Sequence, residues 1–352
     1  MVDTTFRILR RTDKRSGMYR AYRREWDRRG EQLDECDAPL HLDIETTATC
    51  DLKCGSNLKN PDGFCQIWTH EHLRKEGFKN NKFKPGMIAP EDFYKLIHDA
   101  SNNNVQSVKL NYRGEPSLHP NIAEFVRKAA FEGFIDIMMN TNGNGGARRD
   151  PEIFRRIVKA GITNLMFSVD ACTQEVYTKQ RVQGNWNILL NSVRSAVLAR
   201  DMGLCADDCR IRVSAVRTRL NKDQIDSGQF EEFWLDKIGA DWASISECYF
   251  PAGLQHDWQA ATWAQMFPSE FQCADPFRRM VVTWDLEATL PCCQGFTKGV
   301  NGGEVYSRSI VDAWNSPEFI ELRSKHRHHT WDYVRMCNAC PLTKKIVKEE
   351  AQ

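Results

Sequence analysis

Short apolar runs alternate with longer amphipathic stretches along most of the chain. Six of these runs are predicted strands: Leu40–Glu45, Ser107–Tyr112, Ile135–Asn140, Asn164–Asp170, Ile211–Arg217 and Trp242–Cys248. Amphipathic patterns between them predict helices at Pro90–Ser101, Asn121–Glu132, Pro151–Ala160, Trp186–Met202 and Gln229–Ile238. Strands that alternate with helices are typical of parallel βα units. We therefore predict an α/β fold, either an open doubly wound sheet or a full or partial barrel, with its chemistry at the carboxyl ends of the strands.

The pattern changes after residue 250. Residues Phe250–Phe271 are rich in proline, glycine and aromatic side chains, which is typical of a connector. A predicted strand pair around Met280–Leu290 and a predicted helix at Ile310–Lys325 follow, together with five of the thirteen cysteines. We therefore predict three parts: a basic arm over 1–38, a main α/β domain over 39–250, and a connector with a small cysteine-rich α+β domain over 251–352.

Composition and charge narrow the possible functions. The 352 residues are 41% hydrophobic and 27% charged, which is a globular composition. A net charge of +1 gives no whole-chain electrostatic basis for binding nucleic acid or membranes. No run approaches the roughly 18–20 apolar residues of a membrane span, and no apolar secretory segment follows Met1. We expect a cytoplasmic protein that makes no membrane contact and uses its cysteines for metal or redox chemistry.

The first 38 residues are basic. Ten Lys and Arg residues fall between Arg7 and Arg29, interleaved with Tyr19, Tyr22 and Trp26. This pattern fits a solvated amphipathic arm that packs on the main domain. It also fits a contact for a phosphate-bearing or nucleic-acid substrate, and both interpretations stay open at this point.

Three cysteines follow the first predicted strand. Cys50 and Cys54 lie in Cys-Asp-Leu-Lys-Cys, and Cys65 follows Phe64 after a ten-residue gap. Three thiolates in one loop can hold three irons of a [4Fe–4S] cluster and leave the fourth iron open to a chelating ligand. Zinc is the alternative, although structural zinc sites are usually closed by four ligands.

This arrangement resembles the radical S-adenosylmethionine (SAM) superfamily, whose cluster loop follows the first strand of a partial (β/α)6 barrel. The family motif is usually Cys-x3-Cys-x2-Cys, with an aromatic residue before the last cysteine. Phe64 occupies the aromatic position here, and the longer second gap is interpreted as a loop insertion that keeps the three ligands together.

Further motifs match the family in the expected order along the strand ends. Gly114-Glu115-Pro116 looks like the Gly-Gly-Glu-Pro element that holds the methionyl amino group of SAM, with Arg113 in place of the first glycine. Arg181 matches the usual Ile-Arg-Gly region and is a candidate partner for the methionyl carboxylate. The cofactor-binding residues that the resemblance implies are Phe64, Gly114, Glu115, Pro116, Asn142, Ser168, Asp170 and Arg181.

The C-terminal cysteines form a second set. Cys273, Cys292, Cys337 and Cys340 are spaced Cys-x18-Cys-x44-Cys-x2-Cys, which is enough to ligate every iron of a second cluster. Their surroundings resemble the abbreviated SPASM domain called Twitch, which binds one auxiliary [4Fe–4S] cluster. We expect one cluster because no cysteine follows Cys340; Cys293 could replace Cys292, and zinc is the alternative metal. The remaining cysteines are interpreted as ordinary thiols: Cys36, Cys172, Cys205, Cys209 and Cys248.

The resemblance implies a reaction in which the reduced cluster cleaves SAM to methionine and a 5′-deoxyadenosyl radical that abstracts a substrate hydrogen atom. It also implies an electron donor such as flavodoxin or ferredoxin. Relatives favour oxidation or epimerisation of a sugar, aminocyclitol or nucleotide-linked small molecule. The alternatives are isomerisation or modification of a nucleobase in DNA or RNA, a peptide-modifying SPASM reaction, and a zinc-stabilised binding protein without activity. Candidate substrate contacts are Arg212, Arg217 and Glu247.

Overall fold

A computed structural model describes residues 6–9, 17–54, 65, 85–205, 209–247, 273–289, 301–305, 308–328 and 330. The strands are β1 Phe6–Leu9, β2 His41–Ile44, β3 Ser107–Lys109, β4 Asp136–Thr141, β5 Asn164–Ser168, β6 Arg210–Arg217, β7 Trp242–Glu247, β8 Arg279–Val282, β9 Glu287–Thr289 and β10 Asn301–Glu304. The α-helices are α1 Gly17–Gln32, α2 Pro90–Asn102, α3 Ile122–Phe131, α4 Ile153–Lys159, α5 Gln174–Gln180, α6 Trp186–Asp201, α7 Lys222–Asp226, α8 Gln229–Glu231, α9 Asp275–Arg278, α10 Ile310–Trp314 and α11 Pro317–Arg327.

These strands form one sheet in the order β1-β7-β6-β5-β4-β3-β2-β8-β9-β10. Strands β2 to β7 are parallel neighbours in chain order, which confirms the six predicted βα strands. Strand β1 pairs antiparallel with β7. At the other edge β8 runs parallel to β2 and then turns into the antiparallel strand β9. The C-terminal strand pair is therefore present as predicted, and it extends the sheet of the main domain.

One hydrophobic core lies between the sheet and its helices. Leu42, Val108 and Phe167 point from three strands into this core and are fully buried. Phe93 on α2 stacks on Phe125 on α3, with 3.9 Å between ring centroids. Because side chains alternate along a strand, the other face of the sheet carries polar and charged groups: His41, Asp43, Lys109, Asn140, Ser168, Arg212 and Ser214.

Two predicted helices differ in detail from the structure. The segment predicted at Gln229–Ile238 is helical, but Glu232–Lys237 forms a π-helix. The segment predicted as one helix at Ile310–Lys325 is divided into α10 and α11. The division falls before Pro317, which lacks an N–H and is favoured at the first helical position. Ser316 caps the new helix by accepting from the Phe319 N–H at 3.4 Å.

The helix of the basic arm, α1, packs at the amino ends of the strands. The Tyr22 hydroxyl lies 2.7 Å from the Ser107 hydroxyl, and Trp26 contacts the His41 ring edge-on. Ser107 and His41 are the first residues of β3 and β2. Among the described helices, none is long and apolar enough to cross a lipid bilayer.

Candidate functional site

The loop that leaves β2 carries the first two predicted cluster ligands. Cys54 is buried, while Cys50 and Cys65 are half-buried. The Thr46 hydroxyl donates to the Leu110 carbonyl at 2.9 Å, and the Lys53 N–H donates to the Val182 carbonyl at 3.0 Å. These bonds hold the loop against the carboxyl end of β3 and the segment after α5.

The three thiols lie close enough to influence one another. Burial raises the pKa of Cys50, and the neighbouring Glu115 and the thiols of Cys54 and Cys65 raise it further. Burial likewise raises the pKa of Cys54 to about 12, although the Arg181 guanidinium opposes this rise. Closely spaced thiols that would repel each other as thiolates fit a cationic iron–sulfur cluster, because the metal takes up their negative charge.

No three His, Cys, Asp or Glu side chains in the described part of the chain converge as ligands on one metal ion. A [4Fe–4S] cluster makes no such demand, because each cysteine binds a different iron.

Glu115 lies beside this loop and is held by four hydrogen bonds. Its Oε1 accepts from the Ser117 N–H at 3.0 Å and from the hydroxyls of Ser117 and Thr141 at 2.6 Å. Its Oε2 accepts from the Asn142 N–H at 2.6 Å. Burial raises the pKa of this carboxyl, whereas the bonds from Ser117, Thr141 and Asn142 lower it. The carboxylate thus joins the loops after β3 and β4 in one orientation.

Gly114 brings this turn against the cysteine loop. Its φ is +31°, and a β-carbon there would lie 2.1 Å from the Thr47 carbonyl oxygen. The Glu115 N–H donates to the Thr49 carbonyl at 2.7 Å, one residue before Cys50. A larger residue than glycine would separate the two loops.

Asn142 connects the turn to the first cysteine. Its side-chain amide donates to Asp51 Oδ1 at 2.8 Å and lies 3.9 Å from Cys50 Sγ. Its backbone N–H is one of the donors to Glu115. The end of β4 is therefore in contact with both the thiol loop and the carboxylate.

Asp170 and Arg181 form the opposite wall of the site. Arg181 Nε donates to Asp170 Oδ2, and Arg181 Nη1 lies 3.7 Å from Cys54 Sγ. Asp170 has a φ of +59°, and its Oδ1 accepts from the Val216 N–H at 2.7 Å. The Asp170 carboxylate, just after β5, therefore holds the Arg181 guanidinium beside Cys54.

The structure thus brings most of the predicted site residues together at the carboxyl ends of β2 to β5. Pro116 begins the short 3-10 helix Pro116–Leu118 behind Glu115, and Ser168 ends β5. Cys273 lies just before α9. The other predicted site residues lie outside the described residues: Phe64, Cys292, Cys337 and Cys340.

Sequence reasoning missed several polar residues at the site. Ser117 and Thr141 hold Glu115, and their positions beside Pro116 and Asn142 were the available signal. Glu45 is fully buried and bonds the guanidinium of Arg113. An acidic residue that ends an apolar run was the signal for Glu45.

The candidate substrate contacts have different surroundings. Arg212 lies on the polar face of the sheet, 5.0 Å from the Trp242 ring centroid, and donates to Ser244 Oγ at 3.1 Å. Arg217 is paired with Asp226 at the surface, at 2.6 Å. The side chain of Glu247 lies outside the part of the chain that the structure describes.

Comparison with known proteins identifies two families. The radical SAM superfamily matches residues 44–200, and an iron–sulfur cluster-binding domain, SPASM, matches residues 273–341. A mycofactocin maturase from Mycobacterium tuberculosis is 24% identical over 54% of this chain and 41% of its own length. A probable GTP 3′,8-cyclase from Saccharolobus islandicus is 24% identical over 55% of this chain and 53% of its own. The chain therefore spans about half the length of these curated relatives.

Solved structures share the fold. The structure of anSMEcpe with bound AdoMet and Cp18Cys peptide superimposes with a TM-score of 0.55 at 12% identity, covering 88% of this chain and 95% of that one. Streptococcus suis SuiB bound to precursor peptide SuiA gives a TM-score of 0.54 at 15% identity, covering 96% and 78%. At these identities the likeness concerns the fold.

The chain therefore carries a radical SAM domain over residues 44–200 and a C-terminal SPASM domain over residues 273–341. The predicted fold class, a TIM-like partial barrel followed by a small cysteine-rich domain, is confirmed. The first domain brings a [4Fe–4S] cluster and SAM, and the second brings auxiliary iron–sulfur binding, so the predicted cofactors are confirmed as well.

Proposed function

We propose that the chain cleaves SAM reductively at the loop after β2 and uses the resulting radical to abstract a hydrogen atom from a substrate on the polar face of the sheet. One observation carries this proposal: the structure places three thiols beside a carboxylate and a guanidinium at the carboxyl ends of the strands. These groups belong to Cys50, Cys54, Cys65, Glu115 and Arg181.

Each group has a role in this proposal. Cys50, Cys54 and Cys65 hold three irons, and the bound cluster supplies the electron that cleaves the sulfonium of SAM. Glu115, with the backbone of Gly114 and Pro116, binds the methionyl amino group. Asn142 and Arg181 orient the thiolates by donating N–H groups to them, and both line the pocket that receives the methionyl carboxylate. Ser168, Asp170 and Phe64 complete the cofactor site.

We infer a polar or anionic small molecule as the substrate: a sugar, aminocyclitol or nucleotide-linked compound that is oxidised or epimerised. Arg212 provides a cation on the polar face of the sheet, and Trp242 provides an aromatic surface beside it. A guanidinium held over an aromatic ring suits a phosphate, a carboxylate or a hydroxylated ring.

A peptide substrate is the second candidate. Its support is that anSMEcpe and SuiB, which share the fold, are peptide-bound in their structures. Limited proteolysis distinguishes the two candidates. If the substrate is a small molecule, nucleotide sugars should protect the chain from cleavage near β6 and β7. If the substrate is a peptide, peptides should give this protection instead.

A nucleobase in DNA or RNA receives less support. The described part of the basic arm packs at the amino ends of the strands, whereas the thiols lie at the carboxyl ends. Arg20, Arg23 and Arg24 line a groove of about 390 Å³ on α1. If nucleic acid bound there, affinity would fall with salt in proportion to the number of phosphate contacts. Unchanged binding after alanine replacement of Arg10, Arg11, Arg23 and Arg24 would remove this alternative.

We further propose that Cys273, Cys292, Cys337 and Cys340 hold one auxiliary cluster, with Cys293 as the alternative to Cys292. Four thiolates leave no open iron, so this cluster would carry electrons during a net oxidation. Flavodoxin or ferredoxin would supply the electron for SAM cleavage.

The test combines metal analysis with product analysis after anaerobic reconstitution. We expect about eight irons per chain, and 5′-deoxyadenosine from SAM under strong reductant. Cys50→Ala, Cys54→Ala and Cys65→Ala should each abolish this product, whereas Cys36→Ala, remote from the site, should not. Cys337→Ala should remove about four irons. A protein that contains zinc but no iron, and that does not cleave SAM, would support the alternative of a zinc-stabilised binding protein.

A further inference from the structure

Arg113 replaces the first glycine of the Gly-Gly-Glu-Pro element and makes a bidentate ion pair. Its Nε donates to Glu45 Oε1 at 2.5 Å, and its Nη2 donates to Glu45 Oε2 at 2.7 Å. The Glu45 side chain is fully buried, and that of Arg113 is 14% exposed. Two parallel N–H···O bonds fix both the distance and the plane of the guanidinium.

Glu45 is itself held in place by the C-terminal hairpin. Its N–H donates to the Val282 carbonyl at 2.8 Å, and the Trp284 N–H reaches Glu45 Oε2 at 3.4 Å. The Trp284 ring lies on Gly86, where a β-carbon would be 2.4 Å from the ring. The carboxylate therefore stands between the end of β2, the turn at Arg113 and the hairpin from β8 to β9.

We propose that the Arg113–Glu45 pair positions the Gly114-Glu115 turn for the methionyl amino group of SAM, so that both are positioning residues. This inference rests on the proposed function of that turn. Only Gly114 separates Arg113 from Glu115, and this turn packs closely against the cysteine loop, with a Gly114 β-carbon position 2.1 Å from the Thr47 carbonyl oxygen. The orientation of Arg113 therefore bears directly on that of Glu115.

The pair also contributes to stability, so the test must separate the two effects. Arg113→Lys keeps the charge but loses the bidentate geometry, and Glu45→Gln keeps the shape but loses the charge. Both variants would be prepared as reconstituted holoenzyme. The readouts are the SAM dissociation constant from anaerobic calorimetry, and KM and kcat for 5′-deoxyadenosine formation.

We expect each variant to bind SAM at least tenfold more weakly, which corresponds to about 1.4 kcal/mol. KM for SAM should rise by the same factor, while kcat at saturating SAM stays within about twofold because the thiol ligands are unchanged. Iron content should match that of the wild type.

The buried pair of Arg200 and Asp241 is the matched control. Arg200 Nη1 donates to Asp241 Oδ2 at 2.6 Å, and Asp241 immediately precedes β7, at the amino ends of the strands. Arg200→Lys and Asp241→Asn should lower the melting temperature without weakening SAM binding. SAM affinity within twofold of wild type in Arg113→Lys would overturn the proposal, as would an equal loss in the control variants. A wild-type holoenzyme that binds no SAM would instead refute the proposed function itself.

Discussion

Gly114 makes possible the contact on which the candidate site depends. Because Gly114 has no β-carbon, the turn before Glu115 can lie against the Thr47 carbonyl. Its φ of +31° is one that residues with a side chain rarely adopt. Both constraints act at Gly114, directly before the Glu115 carboxylate, which accepts four hydrogen bonds.

We predict that Gly114→Ala weakens SAM binding and lowers the free energy of unfolding by more than about 1 kcal/mol, because a backbone oxygen must move. Gly133→Ala is the control, since Gly133 has a φ of +84° but nothing within 4 Å of its β-carbon position. Urea unfolding and SAM titration of both variants provide the comparison. Equal behaviour of the two variants would show that close packing at Gly114 is unimportant.

His119 is a buried histidine whose hydrogen bonds require the neutral form. Nε2 donates to the Ile88 carbonyl at 3.0 Å, and Nδ1 accepts from the Asn121 N–H at 3.1 Å. Burial lowers the pKa of His119, although the bond to Ile88 opposes this change. The unfolded chain therefore binds this proton more readily, and stability is lost as pH falls below the unfolded value of about 6.5.

We predict that the free energy of unfolding of the wild type falls between about pH 7 and about pH 5, with a contribution from His119 of up to about 1.4 kcal/mol per pH unit. His119→Asn keeps an acceptor near the Asn121 N–H but cannot titrate, so its decline should be shallower. Urea unfolding at several pH values measures both slopes. Parallel slopes would exclude His119 as a contributor.

Asp43 joins three neighbouring strands. From β2 its carboxylate forms ion pairs with Lys109 on β3 and, at 3.4 Å, with Arg279 on β8. Burial alone would raise the pKa of Asp43, but the two cations hold it well below its usual range. The pairing of β8 with β2 therefore has an electrostatic component as well as backbone hydrogen bonds.

We predict that Asp43→Asn lowers the free energy of unfolding by about 3–5 kcal/mol, because Lys109 loses its buried carboxylate partner and Arg279 keeps only Asp275. Asp226→Asn breaks the surface pair with Arg217 and should cost about 1 kcal/mol or less. Chemical denaturation of the two variants makes the comparison. A similar small loss in both variants would mean that the ion pairs of Asp43 contribute little to stability.

In the molecule as a whole, the hairpin from β8 to β9 completes the main sheet. All four residues of β2 are buried, and the strand pairs with β8 from His41 to Ile44. Without β8, this strand would become an exposed edge with unpaired backbone groups.

We predict that a fragment of residues 1–272 aggregates or gives little soluble protein, whereas a fragment of residues 1–330 remains monomeric. Both fragments lack Cys337 and Cys340, so the difference measures the contribution of the sheet rather than that of the auxiliary cluster. Size-exclusion chromatography with light scattering is the measurement. A monomeric 1–272 fragment with a native circular dichroism spectrum would contradict the prediction.

Much of the fold could be predicted because periodicity is a local property. The alternation of apolar runs and amphipathic stretches placed six strands and five helices, and the order of the motifs placed the site at the strand ends. Arg113, in contrast, could be recognised only as a departure from a motif. Its partner Glu45 lies 68 positions away, and no local pattern pairs them.

Local periodicity and cysteine spacing by themselves determined the βα elements and the cysteine loop, because strand and helix periods and metal-ligand types are readable over a few residues. The order of the motifs along the chain carried the resemblance to the radical SAM superfamily. Only the tertiary structure decided that the C-terminal hairpin joins β2, that the basic helix lies at the amino ends of the strands, and that Glu45 meets Arg113. These features depend on how a twisted sheet brings distant segments into register, and the free energy of each comes from a contact between residues far apart in the chain.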